Sequence, residues 1–289
     1  MEFGLSTHLF HGERLGRPHL EAAAAHGFSV LEIFATKTHF DYHDPRAVDE
    51  LGNALASLGM RAGSMHAPIC AGLTSGEWGR PYSNASGNAD FRREAIAETA
   101  AAFAAARTLG CESMALHLGI PILQPVPPGD NDASAVRRSL EDLASLSHNT
   151  GVKLALEIIP NDLSTPHALV DWLDSDLNLD RAGICLDYGH AHLMGGAPEA
   201  IDALSGHIIS THVHDNGGTL DDHLVPFTGT IDWTAALTAT WKVGYTGRLT
   251  FEVADKGNVT EVLIRTARAR TRLQAILDEL TLPISFDDV

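Results

Sequence analysis

Short hydrophobic runs recur along the chain, and a longer stretch with a helical period separates each from the next. The runs predict strands at 2–9, 28–35, 60–67, 111–118, 153–159, 182–188, 207–214 and 248–254. The stretches between predict helices at 18–26, 46–58, 89–109, 133–149, 165–175, 197–205, 232–241 and 259–279. Eight such βα units are typical of one closed parallel barrel. The sequence therefore predicts an α/β fold, a single (β/α)8 TIM-barrel domain over 1–289, with the barrel at about 2–280 and a short C-terminal extension at 281–289.

Six of the predicted strands end in a side chain that can bind a metal ion. The six are His66, His117, Glu157, Asp187, His212 and Glu252. Residues two apart on a strand point to the same side of the sheet, and the residue two before each of the six is small. Those small residues are Ser64, Ala115, Ala155, Cys185, Ser210 and Thr250. They leave room for polar ligands to converge, so the pattern predicts a shared metal site at the carboxyl ends of the strands.

A second layer of candidate ligands follows two of these strands. His190 comes three residues after Asp187, and Asp221 and His223 form an Asp-x-His pair in the loop after the seventh strand. That loop could fold back over the barrel mouth and close one side of a polynuclear site. Three more histidines have a structural interpretation as good as a functional one: His8 and His11 line the pocket or lie on the surface, and His214 holds a ligand or is an ordinary core residue.

Composition narrows the partners and the compartment. Hydrophobic residues make up 44% and charged residues 20% of the chain, as in ordinary globular proteins. The net charge of −17, with no run of Lys or Arg, makes nucleic acid an unlikely partner. The chain has three cysteines without a pairing pattern, and it shows no signal-peptide features and no apolar run of membrane-spanning length. We therefore predict a cytoplasmic protein with no membrane partner. A homo-oligomer stays open, because barrel helices often pack against a second copy.

The motifs resemble the xylose-isomerase-like barrel superfamily, which includes sugar isomerases and epimerases as well as the endonuclease IV type of DNA repair enzyme. The segments that carry the resemblance are ALHLG, LALEIIPN, GICLDYGHAHLMGG, HVHDNGGTLDDHLVPFTGTIDW and LTFEVAD. In the isomerases and epimerases one divalent ion is held by residues that match Glu157, Asp187, His212 and Glu252. The resemblance implies that both glutamates also act as catalytic acid and base.

Endonuclease IV-like members of the superfamily hold three zinc ions with nine ligands, and all nine positions have a match here. The matching residues are His66, His117, Glu157, Asp187, His190, His212, Asp221, His223 and Glu252. In a site with a single ion, His190, His66 and His117 would instead contact the substrate.

The two kinds of site favour different substrates. The positive charge of one Mn, Co, Mg or Zn ion is smaller than the negative charge of three carboxylates, and such a site suits a neutral hydroxy-ketone. The positive charge of three Zn or Fe ions exceeds the negative charge of four carboxylates, and such a site suits a phosphate. We predict a metal-dependent isomerase or epimerase of a small-molecule carbohydrate or sugar phosphate. The alternative is a trinuclear-zinc phosphodiesterase or phosphatase. A multinuclear iron oxidase and a non-catalytic metal-binding module are less favoured.

Overall fold

Eight parallel strands close into a barrel in the computed structural model, which describes residues 1–74, 76–255 and 257–281. The predicted extension lies outside the described residues from 282 onwards. The barrel strands are β1 (Glu2–Ser6), β2 (Val30–Phe34), β3 (Arg61–His66), β6 (Ser113–Leu116), β7 (Lys153–Glu157), β8 (Ala182–Asp187), β9 (Ile208–Val213) and β10 (Arg248–Phe251). Each pairs with the next in that order, and β10 pairs with β1. A short antiparallel hairpin, β4 (Leu73–Thr74) and β5 (Glu77–Trp78), follows β3.

Helices fill the connections between the strands. They are α1 (Arg17–Ala25), α2 (Pro45–Ser57), α3 (Ala89–Leu109), α4 (Ala133–Thr150), α5 (Pro166–Leu173), α6 (Tyr188–Leu193), α7 (Ala197–Ala203), α8 (Trp233–Lys242) and α9 (Val259–Thr281). The predicted (β/α)8 TIM barrel is confirmed, and each predicted helix has its counterpart. Gly110 and Gly151 end α3 and α4 in the left-handed conformation, and the Asp232 side chain caps α8 by accepting from the Ala235 amide.

Three local elements differ from the prediction. The first strand ends at Ser6, and residues 7–10 form a 3-10 helix where the prediction extended the strand to residue 9. The hairpin of β4 and β5 was not predicted. The short helix α6 was not predicted either, because Asp187 is both the last residue of β8 and the N-cap of α6, accepting a hydrogen bond from the His190 amide at 2.7 Å.

The barrel interior is narrow at one end and open at the other. At the amino end of the strands Arg248 contacts Glu2 and Glu112, each at 3.1 Å, and a Cβ on Gly63 would lie only 2.3 Å from its guanidinium. Above this floor the small residues Ala115, Ala155 and Cys185 are fully buried, as the alternation in the sequence predicted. Polar side chains therefore have room to converge at the carboxyl end.

Among the described residues, no helix combines the length and the apolar character that crossing a membrane requires.

Candidate metal centre

Four ligand side chains converge where β7, β8, β9 and β10 end. Glu157, Asp187, His212 and Glu252 each offer one ligand atom, these atoms lie within 4.8 Å of one another, and all four residues are buried. His212 Nδ1 lies 3.1 Å from Glu157 Oε1, 3.4 Å from Glu252 Oε2 and 3.8 Å from Asp187 Oδ2. Three carboxylates around one imidazole nitrogen form a suitable site for a divalent cation. We call this group the central cluster.

Glu32 on β2 completes the surroundings of His212, although it was not among the residues predicted from the sequence. Glu32 Oε1 lies 2.9 Å from His212 Nε2, and Ser64 donates to Glu32 Oε2 at 2.9 Å. Burial raises the pKa of Glu32, but the charge of His212 outweighs this and holds the pKa below its usual value. An ionised Glu32 accepts a hydrogen bond from Nε2–H of His212. In the neutral ring the lone pair is then on Nδ1, which faces the central cluster. A charged residue inside the apolar run VLEIF was the available signal.

A second cluster shares Glu157 with the first. His66 Nε2 and His117 Nε2 lie 3.3 Å and 3.4 Å from Glu157 Oε2. His66 Nδ1 donates to the carbonyl of Ala67 at 2.7 Å, which leaves Nε2 unprotonated toward the carboxylate in the neutral ring. Glu157 Oε2 is buried and has no hydrogen-bond partner among the described residues. A metal ion would supply the missing partner for all three atoms.

A third cluster joins His190 to the Asp-x-His pair. The Nδ1 atoms of His190 and His223 donate to backbone carbonyls, of Ile158 and Glu252, at 2.8 Å each. Their Nε2 atoms lie 3.1 Å and 3.3 Å from Asp221 Oδ2. Within the part of the chain that the structure describes, Asp221 Oδ1 is another buried oxygen with no hydrogen-bond partner. The geometry again presents two imidazole lone pairs and a carboxylate to one point.

Asp215 fixes the loop that brings this pair to the mouth. Its carboxylate accepts hydrogen bonds from the Ile231 amide at 3.1 Å and the Trp233 indole at 3.0 Å, which ties both ends of the loop together. His223 adopts φ of 46°, in the left-handed region that is costly for a non-glycine residue. The fold thus holds His223 in a strained conformation that turns its ring toward Asp221.

His214 supports the centre by holding a ligand, one of the two roles considered for it. Its Nε2 lies 3.0 Å from Asp187 Oδ1, and its ring stacks on that of His223 at 4.0 Å between centroids. The ring occupies space that only glycine permits, since a Cβ on Gly189 would lie 2.0 Å from it. The His214 ring is therefore packed between two of the clusters.

Opposite charges dominate the electrostatics of the centre. Burial raises the pKa of Glu157 and of Asp187, but the facing histidines hold both pKa values below their usual range. Burial lowers the pKa of His190 and of His223, but Asp187 and Asp221 outweigh this and raise the pKa values to about 10 and about 9. Without metal, His190 and His223 thus carry protons that offset the carboxylates. A bound cation would replace these protons, so the donor set fits divalent metal.

The centre opens into a cavity of about 320 Å³ at the carboxyl end of the barrel. Six of the nine predicted ligands line it: His66, His117, His190, Asp221, His223 and Glu252. His8 and His11 also line it, which favours the pocket role considered for them, and their rings stack at 4.5 Å between centroids. Burial lowers the pKa of both, so they are neutral groups at the cavity wall.

Comparison with known proteins places the chain in a family. The profile of the xylose isomerase-like TIM barrel matches residues 20–277, most of the chain. The chain belongs to this family. Family and fold therefore agree with the resemblance seen in the sequence. An uncharacterized protein of Methanocaldococcus jannaschii, MJ1311, is 28% identical over 263 residues, which cover 87% of this chain and 83% of the relative.

Solved structures of the family share the barrel. A D-tagatose 3-epimerase-like protein has a TM-score of 0.76 at 24% identity, covering 97% of this chain and 98% of its own. An L-ribulose 3-epimerase has a TM-score of 0.77 at 19% identity and full coverage of both chains. The IOLI protein, crystallised with a zinc atom, has a TM-score of 0.73 at 19% identity, and the match covers 94% of this chain and 98% of the IOLI chain. At these identities the likeness shows the fold, and substrate and metal stay predictions.

The role of Glu32 is testable by Glu32→Gln, which keeps the size of the side chain and removes its charge. We expect the affinity for divalent metal to fall by about 10- to 100-fold, because a neutral amide accepts from His212 Nε2–H more weakly than a carboxylate and can present its NH2 group instead. Competition with a chromophoric chelator measures this affinity. Glu50→Gln on the exposed face of α2 is the matched control and should leave it unchanged. Equal affinities for the two variants would contradict the role of Glu32.

Metal binding should release protons and strengthen as the pH rises. The raised pKa values of about 10 for His190 and about 9 for His223 mean that both rings are protonated at neutral pH without metal. A cation that takes either Nε2 displaces its proton, so affinity should rise by up to about tenfold per pH unit for each proton displaced.

Calorimetric titration in two buffers of different ionisation enthalpy counts the released protons. His190→Gln should lower the count by about one, while His148→Gln, at an exposed position on α4, should not change it. An affinity that does not vary between pH 6 and pH 8, with no proton release, would contradict this account.

Proposed function

We propose that the protein is a metal-dependent isomerase or epimerase that acts on a small carbohydrate or a related hydroxy-ketone. The observation that carries the proposal is the central cluster, one of whose residues, Glu252, lines the cavity at the carboxyl end of the barrel. Comparison supports it, since the L-ribulose 3-epimerase and the D-tagatose 3-epimerase-like protein share the barrel over nearly the whole of both chains. The zinc atom of the IOLI protein supports a divalent metal.

Glu252 is proposed as the base that removes a proton from carbon. It lines the cavity, and its Oε2 also faces His212 Nδ1 at 3.4 Å, so it stands between the ligand cluster and the substrate. A divalent ion held by the central cluster would supply Lewis acidity that makes a C–H bond next to the substrate carbonyl more acidic. When Glu252 takes the proton, the electron pair of that bond shifts toward the carbonyl oxygen, giving an enediolate form of the substrate.

Glu157 is proposed as the group that returns the proton. It is fully buried, and His66 Nε2 and His117 Nε2, which line the cavity, contact its Oε2. We propose that a proton shared by Glu157 and these imidazoles passes to the substrate, and that the proton held by Glu252 is released to water as the site resets. Return to the opposite face of the same carbon gives an epimer, and return to the neighbouring carbon gives an isomer. His190, His66 and His117 would bind the substrate oxygens.

Hydrolysis of a phosphoester is a second candidate, favoured by the two additional clusters. Glu157 Oε2, which has no hydrogen-bond partner among the described residues, faces the imidazoles of His66 and His117, and Asp221 Oδ2 faces two further imidazoles, as ligands of a second and a third ion would. Three divalent ions would outweigh the carboxylates of the centre and attract a phosphate, whereas one ion would not. The number of ions held therefore distinguishes the two candidates.

Proton exchange on a panel of ketoses in deuterium oxide tests the proposal. The metal-loaded protein should incorporate deuterium next to the carbonyl, seen by nuclear magnetic resonance, and form an epimer or isomer. Glu252→Gln should slow the exchange by about 10²- to 10⁴-fold, because general base catalysis is lost. The exposed Glu50→Gln variant should exchange at the rate of the wild type. Deuterium incorporation that persists in Glu252→Gln would overturn the assignment of the base.

The same preparation should be assayed with bis(p-nitrophenyl) phosphate. Hydrolysis that needs three ions per chain and is lost in His223→Ala, together with no deuterium exchange on any ketose, would contradict the isomerase proposal and support the second candidate.

A further inference from the structure

The cavity has two unlike walls. One is made of the histidines and carboxylates of the metal centre. The other, the apolar wall, is formed by the segments after β3 and β6 and by α3. Its residues are Ile69, Tyr82, Ala95, Leu116, Ile120 and Pro121. A ligand that fills the cavity therefore contacts polar groups at one end and carbon atoms at the other.

Two polar side chains near the apolar wall, those of Asn84 and Thr99, form hydrogen bonds with the backbone. The Asn84 amide donates to the carbonyl of His117 at 2.6 Å, and its oxygen accepts from the Gly119 amide at 3.3 Å. The Thr99 hydroxyl donates to the carbonyl of Ala95 at 2.9 Å. Hydroxyl groups of a substrate placed here would give up their bonds to water with few replacements, which is costly. This wall suits an apolar group better than a polyol chain.

Charge and the cavity rim agree with this assignment. No Lys or Arg lines the cavity within residues 1–74, 76–255 and 257–281. Large apolar side chains are exposed on segments that follow β3, β6 and β9 at the same end of the barrel: Trp78, Ile122, Leu123 and Leu220. Trp78 also lines the cavity and stacks on His11 at 5.0 Å between centroids, so the apolar surface continues from the cavity to the rim.

We propose that the substrate is amphiphilic, with two neighbouring oxygens at the metal centre and an uncharged aryl or alkyl group against the apolar wall. This inference rests on the proposed function, because it assigns the oxygen-bearing head to the central cluster. It narrows the substrate to a hydroxy-ketone or keto-sugar that carries an apolar substituent. An unsubstituted ketose with a hydroxyl on every carbon would leave the apolar wall without a matching group.

Two hydroxamic acids with the same head test the inference. Acetohydroxamate and benzohydroxamate both present two neighbouring oxygens to a metal ion, and only the second carries an aryl group. On the metal-loaded protein, calorimetry should show that benzohydroxamate binds about tenfold or more tightly, because its ring is buried. Ile69→Asn, at a half-buried position of the apolar wall, should narrow this ratio about threefold or more without changing the affinity for acetohydroxamate.

Ile276→Asn is the matched control, since Ile276 is also half-buried but lies on α9, outside the cavity. This variant should keep the wild-type ratio of the two affinities. Because each variant is compared with the wild type, the difference in chelating strength between the two acids cancels. Equal affinities, or a ratio that Ile69→Asn does not change, would overturn the apolar wall as a binding surface and leave the proposed function standing. Failure of both acids to bind would contradict the metal-bound head group, and with it both proposals.

Discussion

Four buried carboxylates surround the imidazole of His212, and the rest of the site depends on how their charge is neutralised. Glu32, Glu157, Glu252 and Asp187 lie 2.9, 3.1, 3.4 and 3.8 Å from its ring nitrogens. One protonated imidazole offsets only one of these charges, and an uncompensated buried charge costs several kcal/mol. Without metal, protons on His190 and His223 offset part of the remaining charge, and a bound cation would replace them. The crowding of carboxylates is thus the physical reason to expect metal.

The barrel supplies this crowding without relying on long side chains. Parallel strands bring their carboxyl ends to one rim, and small residues one layer below leave space for the ligands. Backbone carbonyls then fix the rings of His66, His190 and His223 so that Nε2 faces a carboxylate in each case. The ligands are oriented before any ion arrives, which lowers the ordering cost of binding and leaves the histidines facing the cavity available to a substrate.

The barrel and nine of the residues at its centre could be predicted from the sequence, because strand ends and the period of two can be read from hydrophobicity. The sequence did not point to Glu32, which acts from the middle of β2 and contacts a residue 180 positions away. Nor could the sequence show which nitrogen of a histidine faces a carboxylate of the centre, since backbone carbonyls such as that of Ile158 decide this in three dimensions. The helix α6 was hidden for a similar reason: Asp187 serves as strand end, cap and ligand at once.

Metal content per chain tests the central claim most directly. Protein stripped with chelator and dialysed against manganese, cobalt or zinc would be analysed by inductively coupled plasma mass spectrometry, beside Asp187→Asn and the exposed-site variant Glu50→Gln. The account predicts at least one tightly held ion in the wild type and in Glu50→Gln, fewer ions in Asp187→Asn, and a melting temperature that rises with metal only where the ion is held. No retained ion in the wild type, or equal content in all three proteins, would contradict it.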